Sequence, residues 1–304
     1  MKPVKLGQNF LVNKNVAEKI VRHFLPVTGR ILEVGPGKGV LTELLVKYRG
    51  PGMGKIKAVE LDGGLVYKLR DRFANDVDIV NRNILKISLP HLFTGLPGDA
   101  VTASAEVGGD EVGKIANGDG RGTHGINLIS NVPYYISSEF MDWIISQERY
   151  IAKGVLMLQK EFVDKLAARP DSKDYNAQSV VFAYLFRLEK LFDVNPGSFS
   201  PRPRVKSTVF LFERISRGRK SGFNVDTAEF YRFLQDCFRN RRKTLFNNLE
   251  KTHHKEKLWE VFESFGINPR IRAEQLTLDR FLDIYEQLFM VEHEGQGLLP
   301  FAAP

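Results

Sequence analysis

Residues 131 to 135 read Asn-Val-Pro-Tyr-Tyr and follow, after Ser130, on the apolar run Ile126-Asn127-Leu128-Ile129. An amide, a rigid proline and two tyrosines at the end of a buried-strand pattern are too polar for a core and too stiff for an ordinary loop. A second group stands upstream: Glu33 to Gly39 reads EVGPGKG at a strand-to-helix turn. Glycines there let the backbone approach a ligand closely, and the following helix N-terminus offers unpaired N–H groups. This is not the dinucleotide fingerprint, because the sixth residue from Gly35 is Val40 rather than glycine. Nor is there a P-loop, since the Gly54-Lys55 pair has Arg49 in place of the first glycine and Ile56 in place of Ser or Thr. Glu60 ends the next strand pattern, in AVELD, where a carboxylate can accept hydrogen bonds from both ribose hydroxyls of a bound nucleoside. A glycine turn followed by a strand-end acid is the layout of an adenosine site.

The elements that must carry these residues alternate. Val16, Ile20, Val21 and Phe24 have helical spacing, and the strand pattern Arg30 to Val34 follows, then the glycine turn and a helix through Leu41, Leu44 and Leu45. Further strands are expected at Ile56 to Val59, Val77 to Val80, Ile126 to Ile129 and Val155 to Leu158. Such alternation predicts an α/β fold built from βαβ units, with a mainly parallel sheet and helices on both faces. Leu188 to Val194 and Ser207 to Phe212, joined by a Pro-rich loop, predict a closing antiparallel hairpin. Residues 93–125 are rich in Gly, Asp and small side chains without apolar periodicity, and are expected to form a mobile surface insertion. Beyond the SRGRKSG segment at 216–222 the composition becomes helical and charged. The expected organisation is therefore a domain at 1–217, a small helical domain at 218–290 and a tail at 291–304.

The 304 residues are 43% hydrophobic, enough for a sizeable core. Cys237 is the single cysteine and cannot form an intramolecular disulfide, and no stretch approaches the about 18 apolar residues of a membrane span. These features predict a soluble, cytoplasmic protein. With 44 Lys and Arg against 36 Asp and Glu, and a pI of about 9.4, the chain suits a polyanionic partner.

The segments LGQNFL (6–11), EVGPGKG, AVELD, NVPYYIS, LMLQKEFVDKL (156–166), FSPRPRVKSTV (199–209) and FRNRRKTL (238–245) stand in an order that resembles the KsgA family. These are S-adenosylmethionine-dependent small-subunit rRNA adenine N6,N6-dimethyltransferases. The resemblance covers residues 5 to about 290, interrupted by the Gly-rich segment. It implies a class I, Rossmann-like methyltransferase fold with a small C-terminal α-helical domain. The implied reaction is dimethylation of two adjacent adenosines near the 3' end of 16S-type rRNA, on a pre-ribosomal 30S-type particle, by a monomer that needs no metal or membrane.

That resemblance gives the proline motif a chemical meaning. Adenine's exocyclic nitrogen is a poor nucleophile because its lone pair is delocalised into the ring. A pair of acceptors can hold its N–H groups and favour a pyramidal nitrogen aimed at the methyl sulfonium. Asn131 supplies a side-chain oxygen for this, and Val132 or Pro133 a main-chain carbonyl whose direction the proline fixes. Tyr134 can stack on the flipped base. The resemblance also implies that Asn9 and Leu11 close over the cofactor beside Gly35, Gly37, Glu60 and Asn131, and that Phe199 sandwiches the target base with Tyr134. Arg239, Arg242 and Lys243, with Arg241 nearby, are read as one face of a basic helix that tracks phosphates. Two positions depart from the family. Arg82-Asn83 replaces Gly-Asp, so Asn83 would accept from the cofactor's adenine through an amide oxygen, and Val132 replaces the usual leucine. Two other readings are the related 23S rRNA adenine methyltransferases of macrolide resistance and a non-catalytic nucleic-acid-binding factor.

Overall fold

The computed structural model describes residues 8–93, 125–215 and 225–294. The expected insertion at 93–125 lies outside these apart from its two end residues, as do the 216–222 segment and the tail beyond 294. The chain divides into two compact units, Met1–Phe162 with Arg187–Arg214, and Val163–Phe186 with Ile215–Pro304.

In the first unit, the short strand β1 (Phe10–Leu11) leads into helix α1 (Lys14–Phe24). Asn13 starts that helix by accepting from the N–H groups of Asn15 and Val16 at 3.1 and 3.2 Å, satisfying donors that lack a helical partner. Ala17, Ile20, Val21 and Phe24 form its buried stripe. Then come β2 (Gly29–Val34), α2 (Val40–Lys47), β3 (Met53–Glu60), α3 (Gly63–Phe73), β4 (Val77–Asn81) and the short α4 (Leu89–Leu92). After residue 125 follow β5 (Ile126–Asn131), a 3-10 turn at Tyr134–Ile136, α5 (Ser137–Ser146) and β6 (Ile151–Gln159). The run α6 (Lys160–Leu166), α7 (Ala177–Leu185), β7 (Phe186–Val194), β8 (Phe199–Ser200) and β9 (Ser207–Arg214) completes this stretch.

The strand order in the main sheet is β4-β3-β2-β5-β6-β9-β7. The pairs β4–β3, β3–β2, β2–β5 and β5–β6 are parallel, and β9 runs antiparallel to β6. Central parallel strands are covered on both faces, which is why Ile31, Leu32, Leu128, Ile129, Val155 and Leu156 are all fully buried. The chain moves from β2 outward to β3 and β4, then crosses to β5 on the other side of β2. Ligands of open α/β sheets bind at such a reversal, beyond the carboxyl ends of the strands. This is the expected Rossmann-like architecture. The two late strands are also present, with β9 inserted between β6 and the edge strand β7. A separate two-stranded ribbon was not foreseen: β1 pairs antiparallel with β8, Phe10 opposite Ser200 and Leu11 opposite Phe199.

The second unit is helical, comprising α7 with α8 (Thr227–Cys237), α9 (Leu245–Leu249), α10 (Lys255–Ser264) and α11 (Leu278–Glu294). Its core is aromatic. Phe230 lies 5.1 Å from Tyr285 and 5.3 Å from Tyr184 of α7 between ring centroids, both edge-to-face. The Tyr285 hydroxyl donates to Glu229 at 3.0 Å, so the buried phenol is satisfied. Packing against Phe230 is what draws α7 into this unit; the sequence boundary at 217 falls near the second crossing of the chain and shows nothing of the first.

One expectation is corrected here. Residues 238–244 are not a helix: α8 ends at Cys237 and α9 begins at Leu245. The connecting turn is built by Asn248, a buried residue whose side-chain N–H groups donate to the carbonyls of Cys237 and Asn240 at 2.8 and 3.1 Å. Asn240 in turn accepts from the N–H of Arg242 at 3.1 Å through its side chain and from that of Lys243 at 3.0 Å through its carbonyl. These local bonds compete with helix continuation.

Candidate active site

Glu33, Glu60 and Asn131 share one face of the sheet. Glu33 is level with Ala58 on β3 and Ile129 on β5, and Glu60 and Asn131 lie two residues further along those strands. The two-residue side-chain period of a strand then aims all three the same way. They line a solvent-open cleft at the reversal of strand order.

The glycine turn forms one wall. Gly35 and Gly37 have φ of +64° and +58°, a region L side chains rarely adopt. A Cβ on Gly37 would also meet the Phe10 ring at 3.1 Å. The Gly37 N–H donates to Glu60 Oε2 at 3.1 Å, while Glu60 Oε1 accepts from the N–H groups of Leu61 and Asp62 at 2.8 and 3.0 Å. Three backbone donors thus hold a carboxylate that is only 3% exposed and fix it at the end of β3. Asn81 on β4 locks the same corner by donating to the carbonyls of Glu60 and Leu61.

The opposite wall is the proline motif. The Asn131 side-chain N–H donates to the Asn9 carbonyl at 3.3 Å, which commits the amide nitrogen and leaves its oxygen as an acceptor. Pro133's carbonyl already accepts from the Ile136 N–H at 3.1 Å, so of the two main-chain candidates Val132 is the one its turn leaves available. Tyr134 is half-buried, with its hydroxyl 2.6 Å from that of Ser207. Burial pushes its phenol above the ordinary range, and the Ser207 bond only partly offsets this. A phenol so shifted stays neutral near pH 7 and is a stacking surface rather than a base.

Glu33, which the glycine motif contains without a role of its own, lines the cleft, as do Phe10 and Tyr135, which the sequence motifs do not distinguish. For Glu33 a signal was present, because an acid in the middle of Ile31-Leu32-Glu33-Val34 is a charge in a strand buried on both faces. Its carboxyl is 1% exposed and its pKa is pushed up to about 7, mainly by burial, with the charge of Glu60 adding and a 2.7 Å bond from the Thr42 hydroxyl opposing.

Residues 2–289 match the family described as ribosomal RNA adenine dimethylase. The chain belongs to that family. Curated relatives of this dimethylase include the ribosomal RNA small subunit methyltransferases A of Acidobacterium capsulatum and Koribacter versatilis. The first is 34% identical, covering 93% of this chain and 90% of the relative; the second is 32% identical, covering 94% of each. Among solved structures, a dimethyladenosine transferase from Plasmodium falciparum superimposes with a TM-score of 0.69 at 20% identity, covering 95% of this chain and 98% of that one. The 23S rRNA methyltransferase ErmE superimposes at 0.61 and 18% identity, over 92% and 99% of the two chains. At those identities the two structures establish the fold alone.

The dimethylase's predicted site residues do not all converge. Asn9, Leu11, Gly35, Gly37, Glu60, Asn83, Asn131, Pro133 and Tyr134 line the one cleft. Phe199 is not among its walls; it is 4% exposed within the apolar cluster that includes Leu11, Val194 and Val209. In the β1–β8 ribbon Phe199 stands opposite Leu11, an equally buried residue that does line the cleft. Asn83 spends its amide oxygen on the Leu85 N–H at 3.0 Å, capping the turn after β4. Arg239, Arg241, Arg242 and Lys243 belong to the second unit and are exposed on the α8–α9 turn, with Arg239 ion-paired to Asp236. Among the described residues there is no cluster of His, Cys, Asp and Glu able to hold a metal ion, and no helix long and apolar enough to cross a membrane.

Proposed function

We propose that the protein transfers methyl groups from S-adenosylmethionine to N6 of two adjacent adenosines near the 3' end of small-subunit rRNA, converting each to N6,N6-dimethyladenosine, and that it does so as a cytoplasmic monomer on an assembling 30S-type particle. The observation that carries this reading is that Glu60 and Asn131, 71 positions apart in the chain, line one cleft at the strand-order reversal. The family match and the two small-subunit relatives support the substrate.

The residues present fit the cofactor. Glu60 is fixed by backbone donors with lone pairs to spare for ribose hydroxyls, the glycine turn admits close approach, and Asn83, in the turn just beyond β4, lines the same cleft. Bound there, S-adenosylmethionine supplies an electrophilic methyl group on a sulfonium. Asn131 Oδ1 and the Val132 carbonyl accept from the target amine, withdrawing its lone pair from conjugation and orienting it for attack. Tyr134 offers its face to the flipped base. No side-chain base is required, because nitrogen becomes acidic on methylation and its proton can pass to water.

The 23S reading has the fold in its favour, whereas the curated relatives described above are small-subunit methyltransferases. Labelled cofactor, purified protein and undermethylated 30S and 50S subunits test the choice. Label in small-subunit rRNA, recovered as dimethyladenosine, is the expected outcome; label only in 23S rRNA, or none, overturns the proposal.

A further inference from the structure

The strap between β8 and β9 reads Pro201-Arg202-Pro203-Arg204-Val205-Lys206 and is held at both ends within the first unit. Ahead of it Ser200 pairs with Phe10, and behind it Ser207 pairs with Gln159 of β6. The Lys206 carbonyl also accepts from the Lys160 N–H at 2.9 Å. Pro201 and Pro203 have a fixed φ and no N–H to give, so the strap joins neither sheet and keeps a stiff course over the surface. Burial alternates along it: Arg202, Arg204 and Lys206 are exposed, whereas Pro203 and Val205 are half-buried. Two apolar residues thus seat the segment while three cations stand in solvent.

The far end of the strap reaches the proline-motif wall of the cleft. Tyr134 lines the cleft, and its hydroxyl is 2.6 Å from that of Ser207, the residue directly after Lys206. The neighbouring acid is already served. Asp193 accepts from the Thr208 hydroxyl at 2.6 Å and is ion-paired with Lys160 at 3.0 Å; both hold its carboxyl below the usual range, and the charge of Lys206 adds to them. Arg202 and Arg204 have no ion pair or hydrogen bond among the described residues. Guanidinium groups without an acidic partner suit phosphate, whose oxygens they grip in pairs. A base turned out of its helix towards Tyr134 carries a phosphate on each side, and that backbone has to be held where the base enters.

We propose that Arg202 and Arg204, with Lys206 at the Tyr134 end, hold the RNA phosphates flanking the target adenosine and so set where its base enters the cleft. This rests on an adenosine of RNA being the substrate. Contacts to the sugar-phosphate backbone carry no base readout, so they serve either of two adjacent adenosines as the strand shifts by one nucleotide. A strap already anchored at both ends loses little freedom on gripping that backbone. Neutralising two such contacts should remove about 1.4–1.8 units from the log-log salt slope, which at about 0.15 M salt amounts to roughly a 15- to 30-fold loss of kcat/KM.

The double variant Arg202→Gln with Arg204→Gln, assayed for labelled methyl transfer to undermethylated 30S subunits over a salt series, should show that loss, with S-adenosylhomocysteine affinity and Tm at wild-type values. Arg202→Lys with Arg204→Lys keeps both charges and should restore the slope. A second measurement does not depend on the glutamine variant. Cys237, the single native cysteine, is buried, so in Arg204→Cys an azidophenacyl bromide labels the strap alone. Photolysis of the labelled protein on 30S subunits should cross-link it to rRNA within a few nucleotides of the methylated adenosines. Wild-type kcat/KM and salt slope in the glutamine variant overturn this inference alone, as do a slope that lysine does not restore and cross-links formed only with protein or with a distant rRNA segment. If the wild-type protein transfers no methyl group to 30S subunits, the proposed function falls and this inference with it.

Discussion

Replacing Glu60 by glutamine keeps its shape and tests whether the acid both builds and serves the cleft. The carboxylate accepts from three backbone N–H groups, Gly37 on one oxygen and Leu61 and Asp62 on the other. A glutamine has one acceptor oxygen. If that oxygen stays with Leu61 and Asp62, its NH₂ group confronts the Gly37 N–H, donor against donor; turned the other way, two bonds are lost. The smaller loss is one charge-assisted bond of about 1.5–3 kcal/mol, with a buried donor left unsatisfied. Loss of the charged acceptor for a ribose hydroxyl should cost the cofactor a similar amount, roughly a ten- to hundredfold weaker Kd. Urea unfolding of the empty protein reads the first quantity and calorimetric titration with S-adenosylhomocysteine the second. A variant with wild-type stability would show that the turn does not depend on Glu60, and unchanged affinity would remove Glu60 from the binding site.

Asn131→Ala should abolish most methyl transfer while shifting cofactor affinity only a few-fold, because the lost oxygen serves the target amine and the lost bond to the Asn9 carbonyl is a long one; near-normal turnover on 30S subunits would sink the acceptor role. Neutralising Arg241, Arg242 and Lys243 together should weaken subunit binding and flatten its salt dependence by about 0.7–0.9 units of log-log slope per phosphate contact, with cofactor affinity untouched; an unaltered slope in filter binding would make the turn an ordinary solvated surface. Gly37→Ala, strained at a φ of +58° and crowded by Phe10, should lower stability by about 1–3 kcal/mol and be visible as a reduced Tm; an unshifted Tm would mean that the turn relaxes freely.

Much of the frame was legible because it rests on local pattern. Apolar runs of strand length separated by helical spacing are the direct consequence of burying both faces of a parallel sheet, and the strands from β2 to β6 appear where those runs stand. Gly35, Gly37, Glu60 and Asn131 were legible for a related reason: each is a residue type that packing alone would not place at a strand end. The basic run was misread because spacing shows which residues could share a helical face but not whether the helix continues. Asn248, buried beyond the run, withdraws the carbonyls of Cys237 and Asn240 into a turn.

What the tertiary structure decided are the relations between distant positions. Gly37 meets Glu60 across 23 residues, and Asn131 meets Asn9 across 122. No periodicity encodes such pairings, since they arise only when the sheet brings the ends of β2, β3 and β5 side by side. Phe199 was visible as an aromatic ring; that it is buried opposite Leu11 emerged only from the pairing of β8 with β1. Glu33 was visible as an acid in an apolar strand; that one of its oxygens has no partner among the described residues emerged only from the packing of α2, where Thr42 reaches the other. Sequence dictates which groups are available along each element, whereas the desolvation and neighbours that set their chemistry belong to the assembled sheet.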